Sequence, residues 1–127
     1  MAYTGTEIFN KAIAVIDELS DAGTITEAQV NTYKARAPYL LDSFQHEMQK
    51  REHITELVKI TDLSQTLQLS DAGCNAGAYF LALWFANADQ NSDLEKLCRN
   101  KYDELKNDIR VPLPIRSITD VYNITGG

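Results

Sequence analysis

One stretch near the middle of the chain, residues 72–88, is apolar on almost every side and constrains the fold more than any other feature. Ser70 is a favoured N-cap residue, and Asp71 places a negative charge where it complements a helix dipole, so a helix is predicted to begin here. A helix that is apolar all round belongs at the centre of a domain. Gly73 and Gly77 keep one patch of it small, which permits close approach by a neighbouring helix. Asn87 interrupts the apolar run before the roughly 20 residues that a bilayer span requires, so no membrane segment is predicted.

Three further helices are predicted around this central one. Capping boxes beginning at Thr4 and Thr26 start helices over about residues 5–20 and from about 27 onward. The apolar spacing of the second helix keeps its phase through Pro38, so we predict either a kinked continuous helix or two abutting helices, with helical structure to about residue 51. Ser92 opens a last amphipathic helix. The short connection at residues 21–25 predicts that the first two helices form an antiparallel hairpin.

Residues 52–70 form a less regular segment, which we call the arm. Ile54, Leu57, Val58 and Ile60 fit a strand or a short helix equally well, and residues 61–66 have turn chemistry. The arm is longer than the loops of compact bundles, and such segments are often functional. We therefore predict an irregular arm with possible short strands that contacts a partner through Leu57, Ile60 and Leu63; an ordinary surface loop is the alternative.

The C-terminal segment is predicted to leave the helical body. Pro112 and Pro114 fix φ, lack backbone donors and favour extended predecessors, so the last helix must end before them. The residues that follow are too apolar for an ordinary solvated terminus. We expect a partner or the chain's own core to bury five of them: Ile115, Ile118, Val121, Tyr122 and Ile124. The predicted architecture is all-α: a bundle of four to five helices within a domain of residues 1–111, and an extended tail of residues 112–127.

Charge and composition argue against several functions. The formal net charge of the chain is -6, and no run of Lys or Arg is present, which disfavours binding to a phosphate backbone. An acidic surface repels a passing duplex, which suits a conduit better than a DNA-binding protein. Cys74 and Cys98 have no CxxC spacing and are predicted to be reduced packing residues.

No catalytic pattern was found in the sequence. His46 and His53 are the two histidines, and they lack the accompanying ligand pattern of a metal site, so they are predicted to be solvent-exposed. The carboxylates fall on the polar faces of the helices. A glycine-rich phosphate loop, a GxSxG elbow and an activated nucleophile are all lacking in the sequence. We therefore predict a protein without enzymatic activity, cofactor or metal.

Seven short segments together resemble the small head-tail connector (adaptor) proteins of tailed bacteriophages. They are Glu7–Ala12, Tyr33–Pro38, Ile60–Leu63, Leu67–Asp71, Tyr79–Ala82, Lys101–Leu105 and Ile118–Tyr122. The resemblance implies a helical subunit that forms a cyclic homo-oligomeric ring below the portal protein, joins it to tail-side connector proteins and continues the DNA channel without binding DNA specifically. It also implies a place at the head-tail interface of the virion, after synthesis in the bacterial cytoplasm.

Two other functions remain possible at the level of sequence. A small cytoplasmic regulatory or partner-binding protein could have the same helices, with its terminal segment packed on its own core. A DNA-binding repressor is the weaker alternative, because the second helix would present Glu27, Gln29, Asn31 and Lys34 without a basic surface around them. The N-terminus lacks the basic and apolar regions of a secretory signal, which favours a protein that stays in the cytosol.

Overall fold

The structure, a computed structural model that describes residues 3–19 and 25–109, is a small all-α bundle. Its four helices are α1 (Gly5–Leu19), α2 (Glu27–Met48), α3 (Asp71–Ala88) and α4 (Ser92–Asp108). The all-α prediction is confirmed. The short strands suggested for the arm are absent from these described residues, where β-pairing is limited to an isolated antiparallel bridge between Thr4 and Thr66. The predicted tail, residues 112–127, lies outside the described residues.

The helices begin where side chains satisfy the free backbone N–H groups. The Thr4 backbone N–H donates to Glu7 Oε1 at 3.0 Å, and the Glu7 N–H donates back to Thr4 Oγ1 at 3.2 Å. Thr26 and Gln29 form the second capping box at the start of α2. Both predicted capping boxes are thus confirmed, and Ser70 caps α3 as expected by accepting from the Gly73 N–H at 3.0 Å.

The second helix runs through Pro38 as one continuous element, as its apolar phase predicted. Regular helix ends at Met48, about one turn earlier than expected from sequence. The next turn closes at His53, whose φ is 56°, with its N–H bonded to the Lys50 carbonyl and the Ile54 N–H bonded to the Gln49 carbonyl. This bonding pattern is a Schellman motif, with a histidine where glycine is usual.

The central position predicted for α3 is confirmed. It packs against all three other helices, and eleven of its residues are buried. At Gly77 a Cβ atom would lie 2.9 Å from Cε2 of Phe44, so the absence of a side chain allows α2 to approach closely. The ring of Phe80 then meets Tyr102 at 5.4 Å, which joins α3 to the antiparallel α4.

Candidate partner-binding surface

An exposed aromatic groove lies between α2 and α3. Tyr39 of α2 and Trp84 of α3 line it, with 76% and 40% of their surfaces exposed. Leu40 and Ala88 add apolar surface, Arg36 adds a positive charge, and the groove has a volume of about 360 Å³. We call this the Tyr39–Trp84 groove. Tyrosine, tryptophan and arginine are the residues most enriched at binding hot spots, so this composition is typical of a protein-docking surface.

The floor of the groove is held by buried aromatic packing. Phe85 lies beneath it and stacks on Tyr33 with ring centroids 4.4 Å apart. The hydroxyl of Tyr33 hydrogen-bonds the carboxylate of Asp89, and burial raises the pKa of that carboxyl group above its usual value. Trp84 itself packs edge-on against Phe80 at 6.3 Å. Trp84 is therefore supported by the buried aromatic core, and a side chain that is already positioned loses less entropy when a partner binds.

Sequence reasoning missed this groove. Tyr39 follows Pro38 on a helix whose apolar phase was predicted without it, and Trp84 falls within the apolar stretch 72–88 that was predicted to lie at the centre of the domain. The available signal was the apolar-all-round pattern of α3, because a helix with more apolar faces than neighbours must leave one of them exposed. In the described part of the chain α1, α2 and α4 pack against α3, and the face of α3 that carries Trp84 stays partly exposed.

The arm is held against the body of the protein by side-chain amides. Gln45 of α2 is fully buried; its Nε2 donates to the Val58 carbonyl at 3.0 Å, and its Oε1 accepts from the Gln68 N–H at 3.1 Å. Asp42 accepts from the Ile60 N–H at 2.9 Å. These bonds replace the ladder hydrogen bonds that strands would have made, so the arm is ordered without regular secondary structure.

The predicted partner contacts of the arm occupy different environments. Ile60 and Leu63 are buried, with 2% and 7% exposure, and belong to the chain's own core. Leu57 is half-buried, whereas its neighbour Val58 is exposed. The structure does not bring Leu57 to the Tyr39–Trp84 groove. A partner could reach Val58 and part of Leu57 without rearrangement of the arm, but not Ile60 or Leu63.

The five predicted tail contacts, Ile115, Ile118, Val121, Tyr122 and Ile124, lie outside the described residues, and their partner role stays a prediction.

His46 and His53 are exposed, as predicted, beside an open surface depression also lined by Lys50 and Ile54. Cys74 and Cys98 are free and buried, and burial raises the pKa of each thiol to about 11. Within residues 3–19 and 25–109, no group of three or more His, Cys, Asp and Glu side chains could hold a metal ion. None of the helices described is both long enough and apolar enough to cross a bilayer.

Comparisons with protein-family models, with curated proteins and with solved structures find no match for this chain.

Proposed function

We propose that this chain is a non-enzymatic assembly subunit, a phage head-tail connector that forms a ring below the portal protein and continues the DNA channel. The observation that carries the proposal is the Tyr39–Trp84 groove, an exposed aromatic surface on an otherwise well-covered core. The sequence adds a second, separate candidate binding segment, the apolar residues from Ile115 to Ile124.

Two different binding surfaces on one subunit are what the assembly of a ring requires. In a head-to-tail interface each subunit offers one surface to the neighbour on one side and another surface to the neighbour on the other side. A closed ring results when the rotation between neighbours closes. A groove on the body and a segment at the C-terminus supply two such surfaces on one chain.

The charge of the chain is compatible with a channel through which DNA passes. The net charge of -6 disfavours tight phosphate contacts, and two of the described cations are paired with carboxylates: Arg99 with Glu95 at 2.8 Å and Lys106 with Glu47 at 3.3 Å. A duplex would be repelled from such walls and not held.

The test is assembly on the portal protein of the same phage. Purified chain mixed with portal should give ring-shaped complexes in electron microscopy and a matching mass by light scattering. Tyr39→Ser should weaken assembly, whereas Leu97→Ser, which removes another exposed apolar side chain that lies outside the groove, should not. Absence of portal binding at high concentration would count against the connector proposal.

A small partner-binding protein that acts as a monomer is the second candidate. It is favoured by the completeness of the core: among the described residues every buried side-chain nitrogen and oxygen has a hydrogen-bond partner, so the folded body needs no neighbour to satisfy it. This candidate predicts that residues 112–127 resist protease in the isolated monomer. Cleavage of that segment in the free chain and its protection in the assembly would favour the connector.

A further inference from the structure

The Tyr39–Trp84 groove has no occupant among the described residues. Tyr39 and Trp84 are both large and exposed, although the core around them is closed. Arg36 at the edge of the groove makes no ion pair within the described part of the chain. An apolar groove with a single cation at its edge fits an apolar peptide that carries a single acidic residue.

The C-terminal segment of this chain has that composition. Residues 118–124 contain four large apolar side chains, of Ile118, Val121, Tyr122 and Ile124, and Asp120 is their single charged residue. A short extended peptide with three aliphatic side chains, one aromatic side chain and one carboxylate would place apolar groups against Tyr39 and Trp84 and the carboxylate against Arg36.

The length of chain outside the structure is sufficient for this contact. Phe80 and Tyr102 pack against each other on antiparallel helices, and from that level Trp84 and Ile109 lie in opposite directions. The rise of 1.5 Å per residue separates Trp84 from Ile109 by about 16 Å along the bundle. The eight residues from Arg110 to Ser117 span up to about 27 Å when extended, and two prolines favour extension.

We infer that the Tyr39–Trp84 groove is the docking site for residues 118–124 of this chain, with Asp120 opposite Arg36. The inference deepens the proposed function, since it names the two surfaces through which neighbouring subunits would join. The length of residues 110–117 also permits the segment to dock in the groove of its own chain. The experiment distinguishes docking between chains from docking within one chain.

Trp84 provides the measurement, because it is the single tryptophan of the chain and lines the groove. In the full-length chain, the double substitution Val121→Ala with Tyr122→Ala should move Trp84 emission to longer wavelength, since the ring loses its apolar cover. Adding a synthetic peptide of residues 115–124 to this variant should restore the shorter wavelength. The same peptide with the two alanines should bind at least tenfold more weakly, a difference of about 1.4 kcal/mol. Far-ultraviolet circular dichroism of each variant checks that the helices are intact.

A charge exchange tests the orientation. Arg36→Glu in the full-length double-alanine variant should weaken binding of the peptide about two- to fivefold, the size expected for an exposed ion pair. A peptide carrying Asp120→Arg should recover that loss. Leu97→Ser in the same background, outside the groove, should leave peptide binding unchanged.

Dilution distinguishes docking between chains from docking within one chain. If the wild-type emission moves to longer wavelength on dilution while light scattering shows dissociation, the segment comes from a neighbour, and both the inference and the subunit contact are supported. If the emission is independent of concentration and differs from the double-alanine variant, the groove is filled by its own chain; the inference holds and the subunit contact does not. Identical emission of wild type and variant at every concentration, with no response to the peptide, overturns the inference and leaves the portal experiment unaffected.

Discussion

The guanidinium of Arg51 donates a hydrogen bond to the carbonyl oxygen of Ile109 at 3.0 Å. The same Nη1 atom also donates to the Lys106 carbonyl at 3.2 Å. The last carbonyls of a helix have no partners within the helix, and a cation there also complements the helix dipole. The residue just before the arm is therefore attached to the end of α4, three residues before the predicted tail begins at Pro112.

Removing this contact should loosen the end of α4. Arg51→Met keeps the length of the side chain but loses its donors, and we expect a loss of about 1 kcal/mol in the free energy of unfolding, because Arg51 is half-buried and its partners regain water. Hydrogen exchange should accelerate in the last turn of α4 and not in α3. Arg51→Lys, which retains the charge and a donor, should lose less. Equal exchange rates in wild type and Arg51→Met would contradict this role.

Gln45 should matter more than its single side chain suggests. Gln45→Leu removes the hydrogen-bond donor of the Val58 carbonyl and the acceptor of the Gln68 N–H. Because the site is fully buried, we expect a loss of about 2–3 kcal/mol in the free energy of unfolding. Chemical denaturation measures this loss, and limited proteolysis should find cleavage within residues 56–68. Gln68→Ala is the matched control: its side chain also bonds the arm backbone, but it is exposed, so water can replace it. Equal losses for the two variants would show that burial of Gln45 is unimportant.

Much of the fold follows from patterns that act within a few residues of one another. The Thr4 and Thr26 capping boxes, the start of α3 at Ser70 and the passage of α2 through Pro38 are local features, and each was predicted correctly. The central place of α3 followed from its composition alone, since a helix that is apolar on almost every side must pack against several neighbours.

The arm and the groove depend on contacts between distant parts of the chain. Ile60 is in the core because Asp42, on another element, accepts its N–H, and Val58 is fixed because Gln45 reaches it. The apolar spacing of the arm's own residues predicts neither of these two hydrogen bonds. The exposure of Tyr39 likewise depends on which elements pack against α2, which a single helical pattern does not define.

The close approach at Gly77 gives a prediction within one helix. Gly77→Ala would put a methyl group 2.9 Å from the Phe44 ring, in a core without room to yield, and we expect a net loss of about 1–3 kcal/mol in spite of the better helix propensity of alanine. Gly73→Ala is the control, because its methyl group would lie 3.2 Å from both the Glu52 carboxylate and Leu69 Cβ, which requires a shift of only a few tenths of an ångström. Thermal unfolding should therefore show a lower midpoint for Gly77→Ala than for Gly73→Ala. The reverse order would mean that Phe44 moves more easily than Glu52.

The end of α3 has a residue that glycine should improve. Gln90 has a φ of 58°, and the bonds from its N–H to the Asn87 carbonyl and from the Asn91 N–H to the Ala86 carbonyl form a Schellman motif. A side chain in this left-handed conformation costs about 1–2 kcal/mol, whereas glycine adopts it freely and loses about 0.5–1 kcal/mol through its more flexible unfolded chain. Gln90→Gly should therefore raise the free energy of unfolding by up to about 1 kcal/mol, measured by denaturant titration. Lys96→Gly, at an exposed position inside α4, should lower it by about 1 kcal/mol, because no positive φ offsets the cost of glycine in a helix. A loss of stability in both variants would show that the Gln90 side chain stabilises the α3–α4 turn more than its backbone conformation costs.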